Sequence, residues 1–258
     1  CPPSAMQGAL WVQLTQTLIP NDKVNDGAYF ATHLNLPPGS WANPQNETLS
    51  TTLSWLFLIP SFTGMIRNLA RAYQARGFVE EISAGYPGTW NLTMGGGINQ
   101  YGVDSAFTSF EHSCQGTGAG YIKDGEATCA AMWNPEGDMG DIEAWEILEP
   151  LLYLGRRIKP QTGGMGKYSG GAGFESLRML WKTKEQVIFN VGEGFVFHGS
   201  GIFGGYPGNA GYRHNMHKTN MKELIDNQKP LPSWEGDPED SEMSRLVKAE
   251  YEEHDSRA

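Results

Sequence analysis

Gly163-Gly164-Met165-Gly166-Lys167-Tyr168-Ser169-Gly170-Gly171-Ala172-Gly173 is the stretch on which the reading of this chain turns. Six of these eleven residues are glycine. Glycine tolerates positive φ and close backbone approach, and it loses the most conformational freedom on folding. So many in one place must serve a shape. Similar clusters stand on either side, Gly95-Gly96-Gly97 before it and Gly199-Ser200-Gly201-Ile202-Phe203-Gly204-Gly205-Tyr206-Pro207-Gly208 after it. Of the 33 glycines, 27 fall between Gly85 and Gly211. Interleaved aromatics such as Trp90, Phe107, Phe110, Trp133, Trp145, Phe174 and Trp181 rule out a flexible linker. The block therefore predicts bent strands and loops packed tightly together.

Either side of the block the pattern changes. Ser4-Ala5-Met6-Gln7 has capping-box spacing; Leu10, Trp11, Leu14 and Leu18 follow at helical intervals until Pro20. Tyr29 to Leu36 alternates and predicts a strand, turned by Pro37-Pro38-Gly39-Ser40. Ile66, Leu69, Ala70 and Tyr73 predict a helix from Ser61 to Arg76, stopped by Gly77. Within the block, strands are expected at Trp90–Met94, Ala106–Glu111, Ala127–Trp133 and Gly192–Phe197. Leu177–Trp181 and Gln186–Val191 are expected as a hairpin across Lys182-Thr183-Lys184-Glu185. Pro230 to Pro238 reads as a linker, and Glu239 to His254 as an acidic amphipathic helix. The fold class is α+β: β-rich mixed sheets with glycine-rich loops and a few flanking helices. Residues 1–84 form a helix-strand-helix part of the core, 85–211 a glycine-rich β domain continuous with it, and 212–258 a linker and tail helix.

Bulk properties exclude some functions. A net charge of −10 argues against nucleic acid and anionic membrane surfaces as partners. No run reaches the ~18 apolar residues that a membrane span needs. Three cysteines make no disulfide framework, and no secretory signal is seen, so the sequons at Asn46 and Asn91 read as accidental and a cytoplasmic protein is expected. The first residue is Cys1, which suggests a processed product or a segment of a longer chain.

The glycine motifs fail as nucleotide binders. Gly199-Ser200-Gly201-Ile202-Phe203-Gly204 is a literal G-x-G-x-x-G, but Gly205, Tyr206, Pro207 and Gly208 follow where a helix must start. Gly166-Lys167 is followed by Tyr168, not Ser or Thr, and position 161 is Gln, so no Walker A loop is present.

Reactive candidates are few. Glu111 and His112 end a predicted strand above the loop Gln115-Gly116-Thr117-Gly118-Ala119-Gly120, where a carboxylate and an imidazole could serve as acid and base. Adjacent strand residues point to opposite faces, so one of the two reads as structural. Asp138, Asp141, Glu143 and Glu146 lack calcium-loop spacing and read as a solvated or capping face. His214-x-x-His217 would share a helical face as a metal pair does, yet no third ligand is near, and surface histidines are the better reading. His33 reads as structural, and His198 stays open.

The ordered set of motifs resembles the hydantoinase B/oxoprolinase family. The set comprises Ile19-Pro20-Asn21 with Asp26-Gly27; Leu36-Pro37-Pro38-Gly39-Ser40 with Asn43-Pro44; Asn91-Leu92-Thr93-Met94-Gly95-Gly96; Glu111 with Gly116-x-Gly118-Ala119; Asp124-Gly125; Asn134-Pro135-Glu136 with Glu143 and Glu149-Pro150; Gly163-Gly164-x-Gly166-Lys167-Tyr168-x-Gly170-Gly171; and Gly204-Gly205-x-Pro207-Gly208. The insert from Asn134 to Leu154 makes the chain most similar to the acetone carboxylase α-subunit branch, as its C-terminal half. The family usually has Asp-Ser before the first Gly-Gly and Arg before the second; here Gln161-Thr162 and Ser169 stand there.

That resemblance implies one part of an ATP-dependent ligase that joins acetone to bicarbonate and yields acetoacetate. It implies a hetero-oligomer with a hydantoinase A-like β subunit, which would bind ATP, and a small γ subunit. It implies manganese in the whole subunit, with no ligand in this segment, which alone is expected to be inactive. The loops at Gly116, Gly118, Gly164 and Gly166 would then stabilise substrate oxyanions and exclude water. Two rivals are an ATP-dependent opener of cyclic amides and a non-catalytic scaffold segment.

Overall fold

The computed structural model describes residues 2–40, 42–46, 55–85, 90–109, 115–128, 140–193, 199–211, 213–229 and 247–255. In chain order these form α1 (Pro2–Gln13), α2 (Asp26–Tyr29), α3 (Trp55–Arg76), β1 (Trp90–Ile98), β2 (Asp104–Ser109), α4 (Ile142–Leu148), β3 (Leu151–Ile158), β4 (Phe174–Leu180), β5 (Gln186–Glu193), β6 (Arg213–His217), α5 (Met221–Asp226) and β7 (Tyr251–Asp255). The strands make three antiparallel sheets, ordered β2-β1-β5, β3-β4 and β6-β7. The expected α+β class holds.

The predicted first helix forms, but it begins at Pro2, so Ser4 lies inside it and does not cap it. It continues as a π-helical turn over Leu14–Leu18 before Pro20. α1 packs on α3 through Ala9 and Phe62, each 1% exposed, with Val12 and Ile66 alongside. α3 starts six residues before the predicted Ser61 and ends where predicted. Gly77 adopts φ +81°, and the Phe78 N–H donates to the Tyr73 carbonyl at 3.0 Å, a Schellman closure.

Three expectations fail. Tyr29 to Leu36 is not a strand: Asn25 caps the short α2 through the Gly27 N–H, and an irregular stretch follows, with no ladder partner among the described residues. Alternation there reflects one half-covered side, not a sheet. The Pro37-Pro38-Gly39-Ser40 turn does form, with the Ser40 N–H on the Pro37 carbonyl and Gly39 at φ +78°. β4 and β5 are not a hairpin: β4 pairs with β3, and β5 with β1. The polar link Lys182–Glu185 carries the chain from one sheet to another. The predicted tail helix is also overturned over its last part, because Tyr251–Asp255 is a strand on β6. The segments 129–133, 194–198 and 230–246, which hold most of two predicted strands, His198, the linker and the start of the tail helix, lie outside the described residues.

β3 and α4 went unpredicted as elements. Asp141 caps α4 by accepting from the Glu143 N–H at 3.0 Å, in line with the capping-face reading. Asp138 lies outside the described residues. Sheets one and two are tied together by Arg178, whose Nη2 donates to Thr93 Oγ1 at 2.8 Å.

Candidate functional site

The glycine-rich segments meet. The stretches 115–128, 159–173 and 199–209 run against one another with little but main chain between them. Gly118 lies on Gly85, its N–H donating to that carbonyl at 2.6 Å. The Gly171 N–H donates to the Thr117 carbonyl at 2.8 Å, the Gly125 N–H to Ser169 at 2.9 Å, and the Tyr206 N–H to Met165 at 2.8 Å. A methyl built on Gly116 would overlap the Gly171 carbonyl; one on Gly163 would overlap that of Gly170, and one on Gly164 that of Tyr206. The same holds for Gly171 against Glu126 and for Gly201 against Gly205. Ordinary side chains cannot enter such contacts, so glycine is required by space even where φ is negative.

The sites named from sequence fall in different places. Gly116, Gly164 and Gly166 are in the knot, and their amides meet no acceptor among the described residues. Gly118 is there too, with its amide already engaged by Gly85. Glu111 and His112 lie outside the described residues. His214 and His217 are on β6, where three residues apart means opposite faces, so the shared helical face does not exist. Both are half-buried, which corrects the surface reading. His33 is exposed on the irregular stretch after α2, which corrects the structural reading.

Several supporting residues carried no sequence signal. Glu175 is 9% exposed and accepts from Arg157 Nε, its partner across the ladder, and from Lys159 Nζ at 3.0 Å. Burial pushes its carboxyl up, but the hydrogen bonds and charges of Lys159 and Arg157 outweigh that and hold it below the usual range. Arg67 on α3 donates through Nη2 to the Gly201 carbonyl at 2.9 Å and so fixes one glycine loop to the helical layer. Gln115, 7% exposed, stands immediately before Gly116. Only the cross-strand position of Arg157 and Glu175 was open to sequence reasoning, and that needed the missed strand β3. An apolar cleft of about 390 Å³ between α1 and α2, lined by Gln7, Gly8, Trp11, Asp26, Tyr29 and Phe30, shares no residue with the glycine knot.

Residues 1–244 match the family model for hydantoinase B/oxoprolinase. The chain belongs to the hydantoinase B/oxoprolinase family. It is 48% identical over 239 residues to the acetone carboxylase α subunit of Xanthobacter autotrophicus, an alignment covering 92% of this chain and 31% of that protein. A solved structure of nucleotide-free acetone carboxylase superposes with a TM-score of 0.86 at 46% identity, over 97% of this chain and 33% of that one. The ATP-dependent caprolactamase of Pseudomonas jessenii shares the fold over 67% of this chain and 29% of that one, with a TM-score of 0.51 at 21% identity. The chain thus spans about a third of the relatives it matches. Among the described residues, no helix is long and apolar enough to cross a membrane.

Proposed function

We propose that this chain is a segment of the α subunit of an ATP-dependent ketone carboxylase, which joins acetone to bicarbonate and forms acetoacetate. The observation that carries this reading is the 48% identity to an acetone carboxylase α subunit across 92% of the chain. The alternative of cyclic-amide opening has a fold-level likeness at 21% identity, which carries fold and not chemistry.

The chemistry asks for a dry site. An enolate must meet its carboxyl donor before water protonates it, and negative charge must be met by fixed dipoles. The glycine knot suits both needs. Main chain packed on main chain leaves little room for water, and the amides of Gly116, Gly164 and Gly166 are donors not already spent on described acceptors. Gly118 serves as a wall. Glu111 and His112, in the segment before Gly116, are the proposed candidates for proton transfer, one of them acting and the other supporting the fold. ATP would be handled by a hydantoinase A-like β subunit, with a small γ subunit completing a cytoplasmic hetero-oligomer. Among the described residues no three of His, Cys, Asp and Glu converge as metal ligands. Manganese, which the resemblance attaches to the whole subunit, would be held by residues outside this segment.

The test is a substrate comparison with the complete complex. Labelled bicarbonate should enter acid-stable product only with a ketone, and AMP should form with it. Cyclic-amide hydrolysis without ketone-dependent fixation would replace this reading with its rival. Unchanged turnover in Glu111→Gln and His112→Ala would remove those two residues from it.

A further inference from the structure

Thr162 joins the two ends of the stretch 159–173 to each other and to the stretch 199–209, through one hydroxyl and one carbonyl. Its Oγ1 donates to the Lys159 carbonyl at 2.9 Å and accepts from the Gly173 N–H at 2.9 Å. Its own carbonyl accepts from the Asn209 N–H at 2.9 Å. Directly alongside, the Lys159 N–H donates to the Gly173 carbonyl at 2.9 Å. The loop that leaves β3 and returns as β4 is thus closed at its neck, and the segment after the next glycine loop hangs from the same residue. Glu175 holds the neck from outside through the Lys159 ammonium.

Beyond the neck the loop is held by main-chain contacts. Inside the closed loop, Gly163 rests on Gly170, and the Gly170 N–H donates to the Gly164 carbonyl at 2.9 Å. Across it, the Met165 carbonyl takes the Tyr206 N–H. A peptide plane carries the N–H of one residue opposite the carbonyl of the residue before it, so the Gly166 amide is set by the Met165 carbonyl that Tyr206 holds, and the Gly164 amide by the Gly163 peptide that rests on Gly170. A hydroxyl is the group this position needs, because it donates and accepts at once; a methyl in its place does neither.

We propose that Thr162 is the positioning residue of this site: its hydroxyl clasps the glycine loop 163–171 and sets it against the loop 199–208, so that the Gly164 and Gly166 amides are held ready for a substrate oxyanion. The last clause rests on the glycine loops being the substrate wall. The clasp itself does not. Preorganised donors need a second layer that prevents them from moving.

The test compares Thr162→Val with Thr162→Ser in the complete complex, by amide hydrogen exchange and by turnover at saturating ketone and bicarbonate. Valine should speed exchange at Gly170, Gly173 and Asn209 at least tenfold. It should lower kcat about tenfold while the KM for ATP stays as it was, and serine should restore both. Unchanged exchange in Thr162→Val overturns the clasp. Faster exchange with unchanged kcat overturns the positioning role, and with it the reading of these loops as substrate wall. Absence of ketone-dependent turnover in the wild type counts against the proposed function alone, since exchange still decides the clasp. Should the valine variant fail to assemble, Thr162→Ala, which also removes the hydroxyl, takes its place. Faster exchange at Gly173 there supports the clasp, and unchanged exchange overturns it.

Discussion

Gly116 and Gly171 touch through their main chains, so closely that a single methyl on Gly116 would occupy the space of the Gly171 carbonyl. The contact is between two peptide groups, which cannot rotate aside as a side chain can. It ties the loop after the segment holding Glu111 and His112 to the loop clasped by Thr162.

Gly116→Ala and Gly171→Ala should each destabilise the chain by about 1–3 kcal/mol, the range for overpacking a tight interior. Gly64→Ala is the control. Gly64 is exposed within α3 with nothing near its missing methyl, so alanine should stabilise by about 0.5–1 kcal/mol. Thermal melts of the three variants should move in these opposite directions. Equal shifts would show that the knot is looser than described.

Phe62→Ala should cost about 3–5 kcal/mol, because Phe62 is 1% exposed and joins α3 to Ala9 of α1. Denaturant unfolding gives the value. A loss near 1 kcal/mol would mean that the α1–α3 contact contributes little.

Acid stability should depend on Glu175. Its folded pKa is lowered, so its contribution is fully present above the ordinary value of 4.5 and is lost as pH falls through the lower folded value. Wild type should therefore lose stability below about pH 4.5, and Glu175→Gln should flatten that limb while being less stable at pH 7. Arg157 and Lys159 are partly exposed, so the loss at pH 7 should be about 1–2 kcal/mol, less than for a fully buried pair. Melts from pH 3 to 7 decide it, and parallel curves for the two proteins would refute the assignment.

Gln100 closes the end of α4. Its Nε2 lies 3.2, 2.9 and 3.3 Å from the carbonyls of Glu146, Ile147 and Glu149, and donates to them. These carbonyls have no partner within the helix. Gln100→Ala should destabilise by about 1–2 kcal/mol and speed hydrogen exchange over residues 145–149. Native exchange there would show that water replaces the amide without loss.

Local chemistry told most where one residue decides one conformation. Gly77 as a helix stop, the Pro38-Gly39 turn and the Asp141 cap were all legible, because each needs only a φ angle or one oxygen. Pattern misled where partners decide. Tyr29 to Leu36 alternates without a neighbour to pair with among the described residues, and Leu177–Trp181 and Gln186–Val191 look like a hairpin yet serve different sheets. The candidate site was half legible. Glycine density marked the loops, but Thr162 stood only as a departure from a motif, and Glu175 carried no signal at all.

The sequence by itself settled that this chain is an acidic α+β protein built around crowded glycine, with motifs in the order of its family. Composition and motif order are properties of the string, and they survive any arrangement of the elements. The tertiary structure alone decided which glycine meets which, that β3 and not β5 completes β4, and that one threonine closes the neck of the loop between β3 and β4. Those facts depend on contacts between residues far apart in the chain, and no local preference records them.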